Sequence, residues 1–221
     1  MRISIPEKPA CLKKAEPEEI SMNTLKIYVV GVGGQGNVLA SKLVGEAAMA
    51  AGVPVVLSET HGMAQRGGVV ESTVVLGGAL SPTIADGCAD ILLAFEPLEA
   101  VRALNKVRKD SLIITSTSPL KPFSPSGDDK AYPPVPDLIA YLKSKCDRVL
   151  AFDGREIALE QGNALGLNMV MLGALYASGI MPIQPEEQKK AIASGTKEAF
   201  AQKNLACFDA GLRAGLEAAR Q

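Results

Sequence analysis

Two short stretches hold the residue types that could do chemistry. The first is Gly31-Val32-Gly33-Gly34-Gln35-Gly36. Glycine has no Cβ, so Gly31 and Gly33 can turn tightly and let a ligand reach the main chain, and Gly36 lets a following helix pack hard on a sheet. The spacing fits G-x-G-x-x-G with an additional Gly34, a cradle whose free amides favour an anionic or nucleotide group. In that reading Gly31, Gly33, Gly34, Gln35 and Gly36 bind the cofactor, with the Gln35 amide aimed at a ligand or a partner. A tight turn between strand and helix that binds nothing has the same spacing.

The second stretch runs from Glu59 to Gly68 and contains the only histidine, His61. Its imidazole has an ordinary pKa suited to a general acid or base. No nucleophile or second base lies near it in sequence, so shaping a site or a subunit contact is the competing role. Arg66, followed by two glycines, can offer a bidentate fork to a phosphate, a carboxylate or a partner's acid, or simply cap its own loop against Glu59. Glu59 can also be read as the acid that holds the ribose in an NAD site. Together Glu59, His61, Gln65 and Arg66 make the candidate partner or substrate loop.

The elements around these stretches follow from hydrophobic spacing. Ile27-Tyr28-Val29-Val30 is a strand opening into the glycine loop, and Val38, Leu39, Leu43 and Ala47 trace one helical stripe behind it. Val53–Leu57 reads as a second strand parallel to the first, completing a βαβ unit, with the polar run from Ser58 as a loop beyond its end. Val69–Leu76 follows too soon for a crossover helix and is a candidate for antiparallel pairing. Ile91–Phe95 is apolar throughout, as a central strand requires. A helix from Glu96 with Pro97 in its first turn follows, then a strand at Leu112–Thr115. Residues 116–136 form a long proline- and serine-rich excursion, of a length that marks function or mobility. A helix over 137–145 and a last strand at Val149–Phe152 precede a helical remainder. There the helix at 169–177 is apolar nearly all round, and Leu205, Phe208, Leu212 and Leu216 form the stripe of the final helix. The expected fold is α/β: a Rossmann-like, mostly parallel sheet flanked by helices, with one antiparallel strand and a helical C-terminal region.

Composition narrows the function classes. The 221 residues suit an extension over 1–22 and one domain over 23–221. Hydrophobic residues make up 47% and charged residues 21%, which excludes wholesale disorder. A net charge of −1 without a block of Lys or Arg argues against nucleic acid or an anionic membrane as partner. The four cysteines, Cys11, Cys88, Cys146 and Cys207, are far apart and form no C-x-x-C pair for zinc or an iron–sulfur cluster, as expected of reduced thiols in a cytoplasmic protein. No signal-peptide pattern opens the chain, and the longest apolar candidate, 167–181, falls short of the ~20 residues a bilayer needs.

Three motifs in order carry a resemblance. The glycine loop, the run His61-Gly62-Met63-Ala64-Gln65-Arg66-Gly67-Gly68 and the segment Phe95-Glu96-Pro97-Leu98-Glu99-Ala100-Val101-Arg102 are similar to the gamma-type domain of 2-oxoacid:ferredoxin oxidoreductases. The second and third most resemble the beta-subunit branch that acts on indolepyruvate, and Asn168-Met169-Val170 and Asn204–Phe208 also fit. The similarity spans about Leu25 to Gly215. It implies oxidative decarboxylation of an aryl 2-oxo acid to an acyl-coenzyme A, with electrons passed to ferredoxin, by thiamine diphosphate and iron–sulfur clusters. This chain has neither cluster cysteines nor a thiamine-type Gly-Asp-Gly segment followed by Asn-Asn. The resemblance therefore implies a larger alpha-type partner subunit carrying those cofactors, with this chain completing the shared site and inactive alone. Coenzyme A at the glycine loop is the implied ligand, although an unpaired Glu59 nearby would repel its ribose 3′-phosphate. Two other readings stay open: a self-sufficient NAD(P)-binding dehydrogenase, and a docking subunit with an empty cradle.

Overall fold

The apolar runs become strands β1 (Leu25–Val32), β2 (Val55–His61), β3 (Val69–Leu76), β4 (Ala89–Ala94), β5 (Val107–Ser116) and β6 (Arg148–Phe152). They form one sheet in the order β2-β3-β1-β4-β5-β6. The computed structural model describes residues 24–61, 68–120 and 132–220, His61 by its backbone only. The expected extension 1–22, Cys11, Gln65, Arg66 and the middle of the proline-rich excursion lie outside the described residues. β1, β4, β5 and β6 are parallel, and β3 is antiparallel to both β1 and β2. The mostly parallel sheet with one antiparallel strand is therefore as expected.

The βαβ expectation needs correcting. β2 points the same way as β1 but is not its neighbour, because β3 is inserted between them: Val74 faces Ile27 on one side and Leu57 on the other. The link from β2 to β3 is too short to cross over a sheet, so β3 must return beside β2, and its second edge pairs with β1. β2 also extends past its expected end, with Ser58–His61 paired to Thr73–Val70 rather than looping out. The polarity of Ser58, Glu59 and Thr60 reflects their exposure on an edge strand, where polar residues also discourage pairing with another chain.

Helices cover both faces, and side chains alternate between them with period two. Ile27, Val29, Ile91, Leu93, Leu112 and Ile114 pack with α1 (Asn37–Ala50), α5 (Leu167–Ala177), α6 (Pro185–Gly195) and α7 (Glu198–Ala218). Tyr28, Val30, Leu92, Ala94 and Ile113 pack on the other face with α2 (Pro97–Arg102) and α3 (Val135–Lys145). α4 (Gly154–Glu160) closes the first layer beside α5. β4 is buried along both faces, as its apolar run predicts.

α5 is buried from Asn168 to Tyr176, which explains its missing polar side. The stripe expected on α7 is found at Phe208 and, half-buried against the core, at Leu205 and Leu212, but not at its last position. The buried residues are Asn204, Cys207, Phe208, Ala210, Gly211 and Gly215, while Leu216 is 46% exposed. α5 and α7 approach too closely for leucine: a Cβ on Gly211 would lie 1.9 Å from the Val170 carbonyl oxygen, and one on Gly173 2.0 Å from that of Phe208. Among the described residues no helix is long and apolar enough to cross a membrane.

Candidate functional site

β1 and β4 lie side by side and parallel, and their chains leave the sheet toward opposite faces, β1 into α1 and β4 into α2. Such a switch point opens a crevice at the carboxyl ends of the two strands, where α/β sheets bind ligands. One wall is the glycine loop and the other is Phe95-Glu96-Pro97.

The loop is shaped by its own backbone. Gly34 and Gly36 have φ of +101° and +79°, the left-handed region that disfavours a side chain. Gly31 has no room for a Cβ, which would sit 2.9 Å from Gln35 Oε1 and 3.0 Å from Phe95 Cβ. Gly36 is the residue before α1 and carries no side chain to cap the helix. Asn37 could cap from its position but instead donates its Nδ2 to the Val70 carbonyl at 2.8 Å. As a result the amides of Gly34, Gly36, Asn37, Val38 and Leu39 have no protein acceptor among the described residues. Unpaired N–H groups at the positive end of a helix dipole suit an anion.

The structure brings the two sequence motifs together, since the Gly33 N–H donates to the Gly68 carbonyl at 2.9 Å. Gly33 therefore fastens the loop, leaving its neighbours to face the crevice. Gln35 also turns inward rather than toward a ligand. Its Oε1 accepts the Val32 N–H at 2.8 Å and its Nε2 donates to the Phe95 carbonyl at 3.1 Å. His61 ends β2, its backbone in register with Val70. Glu59 is exposed on β2 and separated from β1 by the whole width of β3. A ribose clamp needs its acid on the strand next to the glycine loop. The inserted β3 denies Glu59 that place, and the dehydrogenase reading loses its support.

Sequence reasoning overlooked the residues of the opposite wall as site residues. Glu96 is 1% exposed and its Oε2 accepts the Glu99 N–H at 2.9 Å, capping α2. Its Oε1 accepts the Leu120 N–H at 3.3 Å and the Tyr132 hydroxyl. Burial, and then the bond to Glu96, push the Tyr132 phenol upward, so it stays a hydroxyl donor. Asn168 at the start of α5 also touches the loop, 3.5 Å from Nδ2 to the Gly36 carbonyl. A Glu-Pro pair opening a helix is a sequence signal for the cap; nothing local signals Tyr132 or Asn168.

Glu99, one turn into α2, is 4% exposed and pairs with Arg102 at 2.5 Å through Oε1, while its Oε2 has no partner among the described residues. Burial raises its pKa, against the opposing pull of Arg102, with Glu96 and Glu71 adding to the rise. A raised carboxyl favours folding when protonated, and that contribution is lost as pH rises through the folded value. Glu99→Gln is therefore expected to gain in Tm on the natural chain as pH rises from the ordinary carboxylate range toward neutral. Melting curves across that range check it; a difference independent of pH would refute it.

Cys146 and Cys207 are buried thiols whose pKa values burial raises, and Cys88 is half-buried. No group of three His, Cys, Asp or Glu side chains among the described residues could hold a metal ion.

Residues 26–214 match the family model "Pyruvate ferredoxin/flavodoxin oxidoreductase". The chain is 42% identical over 191 residues to indolepyruvate oxidoreductase subunit IorB of Methanothermobacter thermautotrophicus, covering 86% of this chain and 97% of that one. Its fold is similar to the keto/oxoacid ferredoxin oxidoreductase gamma subunit from Geobacter sulfurreducens, with TM-score 0.66 at 24% identity over 89% of this chain and 99% of that one. It is also similar to part of the 2-oxoglutarate:ferredoxin oxidoreductase from Magnetococcus marinus, a structure with 2-oxoglutarate, coenzyme A and succinyl-CoA bound. There the TM-score is 0.64 at 22% identity, over 88% of this chain and 31% of that one.

Proposed function

This chain belongs to the pyruvate ferredoxin/flavodoxin oxidoreductase family, and on that premise we propose that it is the non-thiamine subunit of an aryl 2-oxo acid:ferredoxin oxidoreductase. The substrate class is that of indolepyruvate, named for the relative that is 42% identical along almost its whole length. The C1–C2 bond of the 2-oxo acid breaks with release of CO2, the carbonyl carbon gives up two electrons that pass to ferredoxin, and the acyl group forms a thioester with the coenzyme A thiol, which loses its proton.

The observation that carries the role of this subunit is the set of open amides of Gly34, Gly36, Asn37, Val38 and Leu39 at the β1/β4 switch point. Coenzyme A fits that set because its phosphates want several N–H donors and a helix N-terminus. Gly34, Gly36, Asn37, Val38 and Leu39 would hold it, and it supplies the thiol that accepts the acyl group. The coenzyme A in the Magnetococcus structure of the same fold supports this assignment. Glu59 lies on the edge strand, with β3 between it and the strand that enters the glycine loop.

Because the sequence has neither a C-x-x-C pair nor a Gly-Asp-Gly segment followed by Asn-Asn, we assign thiamine diphosphate and the iron–sulfur clusters to a larger alpha-type subunit, through which the complex reaches ferredoxin in the cytoplasm. Strand β2, with Glu59, and the residues that follow it carry the contact to that subunit; His61, Gln65 and Arg66 belong to this contact. Co-expression of the two chains is expected to give indolepyruvate- and coenzyme A-dependent reduction of ferredoxin or a viologen dye, with each purified chain alone inactive. Full turnover by this chain alone would overturn the proposal.

A further inference from the structure

The glycine loop is not an isolated cradle. Gln35 bridges Val32 to the carbonyl of Phe95, the Phe95 N–H donates to the Val30 carbonyl at 2.9 Å, and the next residue along is Glu96. Glu96 in turn receives three donors: the Glu99 N–H, the Leu120 N–H and the Tyr132 hydroxyl. Leu120 and Tyr132 come from the two ends of the proline-rich excursion, which the carboxylate gathers at one point beside the crevice. A carboxylate can accept all three bonds at once, whereas an amide of the same shape must turn its NH2 toward one of the donors. No Lys or Arg among the described residues is paired with Glu96. Its buried oxygens therefore depend on these donors.

We infer that Glu96 is a positioning residue for coenzyme A binding: with the Tyr132 hydroxyl and Leu120 amide it holds the Phe95–Glu96 wall, and through Phe95 and Gln35 the open amides of the glycine loop, in the geometry that receives the ligand's phosphates. The inference rests on the proposed coenzyme A site. It adds that affinity depends on a carboxylate that need not touch the ligand, because a preformed cradle binds more tightly than one that must be ordered on binding.

The test uses the assembled two-subunit complex carrying Tyr132→Phe, which removes one hydroxyl and leaves the α2 cap in place. Equilibrium dialysis of coenzyme A and steady-state kinetics are read together. Expected is a roughly fivefold rise in both Kd and KM for coenzyme A, with KM for the 2-oxo acid unchanged and kcat much less affected. Glu96→Gln should show a larger rise of the same kind. Tyr141→Phe, an exposed tyrosine on α3, serves as the control and should change nothing. A Tyr132→Phe complex that binds coenzyme A like the natural one, or that loses kcat and both affinities equally, overturns the inference. If Gly34→Val weakens coenzyme A binding and Tyr132→Phe does not, the site stands and the positioning role alone falls. If Gly34→Val also leaves binding unchanged, the site itself is wrong.

Discussion

Valine at position 34 is expected to weaken coenzyme A binding by the assembled complex about tenfold or more, a difference of ~1.4 kcal/mol, while the subunit remains folded and assembled. Gly34 has φ +101°, and a Cβ built there meets no atom within 4 Å. The change therefore removes no packing. Its effect is conformational: a residue with a Cβ in the left-handed region is strained by ~1–2 kcal/mol, and a β-branched one is disfavoured further. The loop relieves that strain by swinging Gly34 toward negative φ, which turns the amides of Gly34 and Gly36 away from their common centre. Local strain on an exposed turn should lower Tm only slightly. Dialysis of coenzyme A against the complex, with Tm and subunit stoichiometry recorded on the same sample, checks the expectation. Natural affinity in a well-assembled Gly34→Val complex would favour a docking subunit with an empty cradle.

A second large effect belongs to the scaffold. Gly211→Val should cost the chain more than ~3 kcal/mol, the upper part of the range for overpacked cores, and lower Tm by roughly 10 °C for a domain of this size. The Cβ at Gly211 would lie 1.9 Å from the Val170 oxygen and 2.6 Å from its carbonyl carbon, both backbone atoms of α5. No rotamer change relieves a backbone clash. α5 and α7 must part, and the contacts around Phe208, Met171 and Val170 loosen with them. Because Asn168 of α5 packs against Gly36, the displacement should also reach the glycine loop. Thermal unfolding by circular dichroism is the direct measurement. Gly78→Ala, at an exposed turn with φ +81° and open space around its Cβ, serves as the comparison with a strained backbone but no clash. Equal Tm values for the two variants would refute the close-packing account.

Much of this could be read from the order of residues. The continuous apolar runs and the three-and-four spacing behind the glycine loop locate β1, α1 and β4, because strands buried on both faces and helical stripes are local consequences of which sides face a core. The short β2–β3 link correctly implies an antiparallel strand. Where the reading failed, the cause was tertiary. Ser58–His61 look like a loop because edge strands tolerate polarity, and Leu216 looks like part of the buried stripe of α7 although the close contact with α5 runs through Gly211 and Gly215 and leaves it exposed.

The amino-acid order by itself determined the α/β class, the glycine loop at a helix start and the absence of a C-x-x-C pair, since each depends only on residues within a strand or a turn of one another. Only the folded chain decided that β3 separates β1 from β2, removing Glu59 from a ribose site. It also decided that Gln35, Phe95, Glu96, Tyr132 and Asn168 meet at one crevice. Their hydrogen bonds join positions 36, 60 and 132 residues apart. Contacts of that separation leave no periodic trace, because the packing of the sheet, and not the neighbouring residues, selects which groups meet.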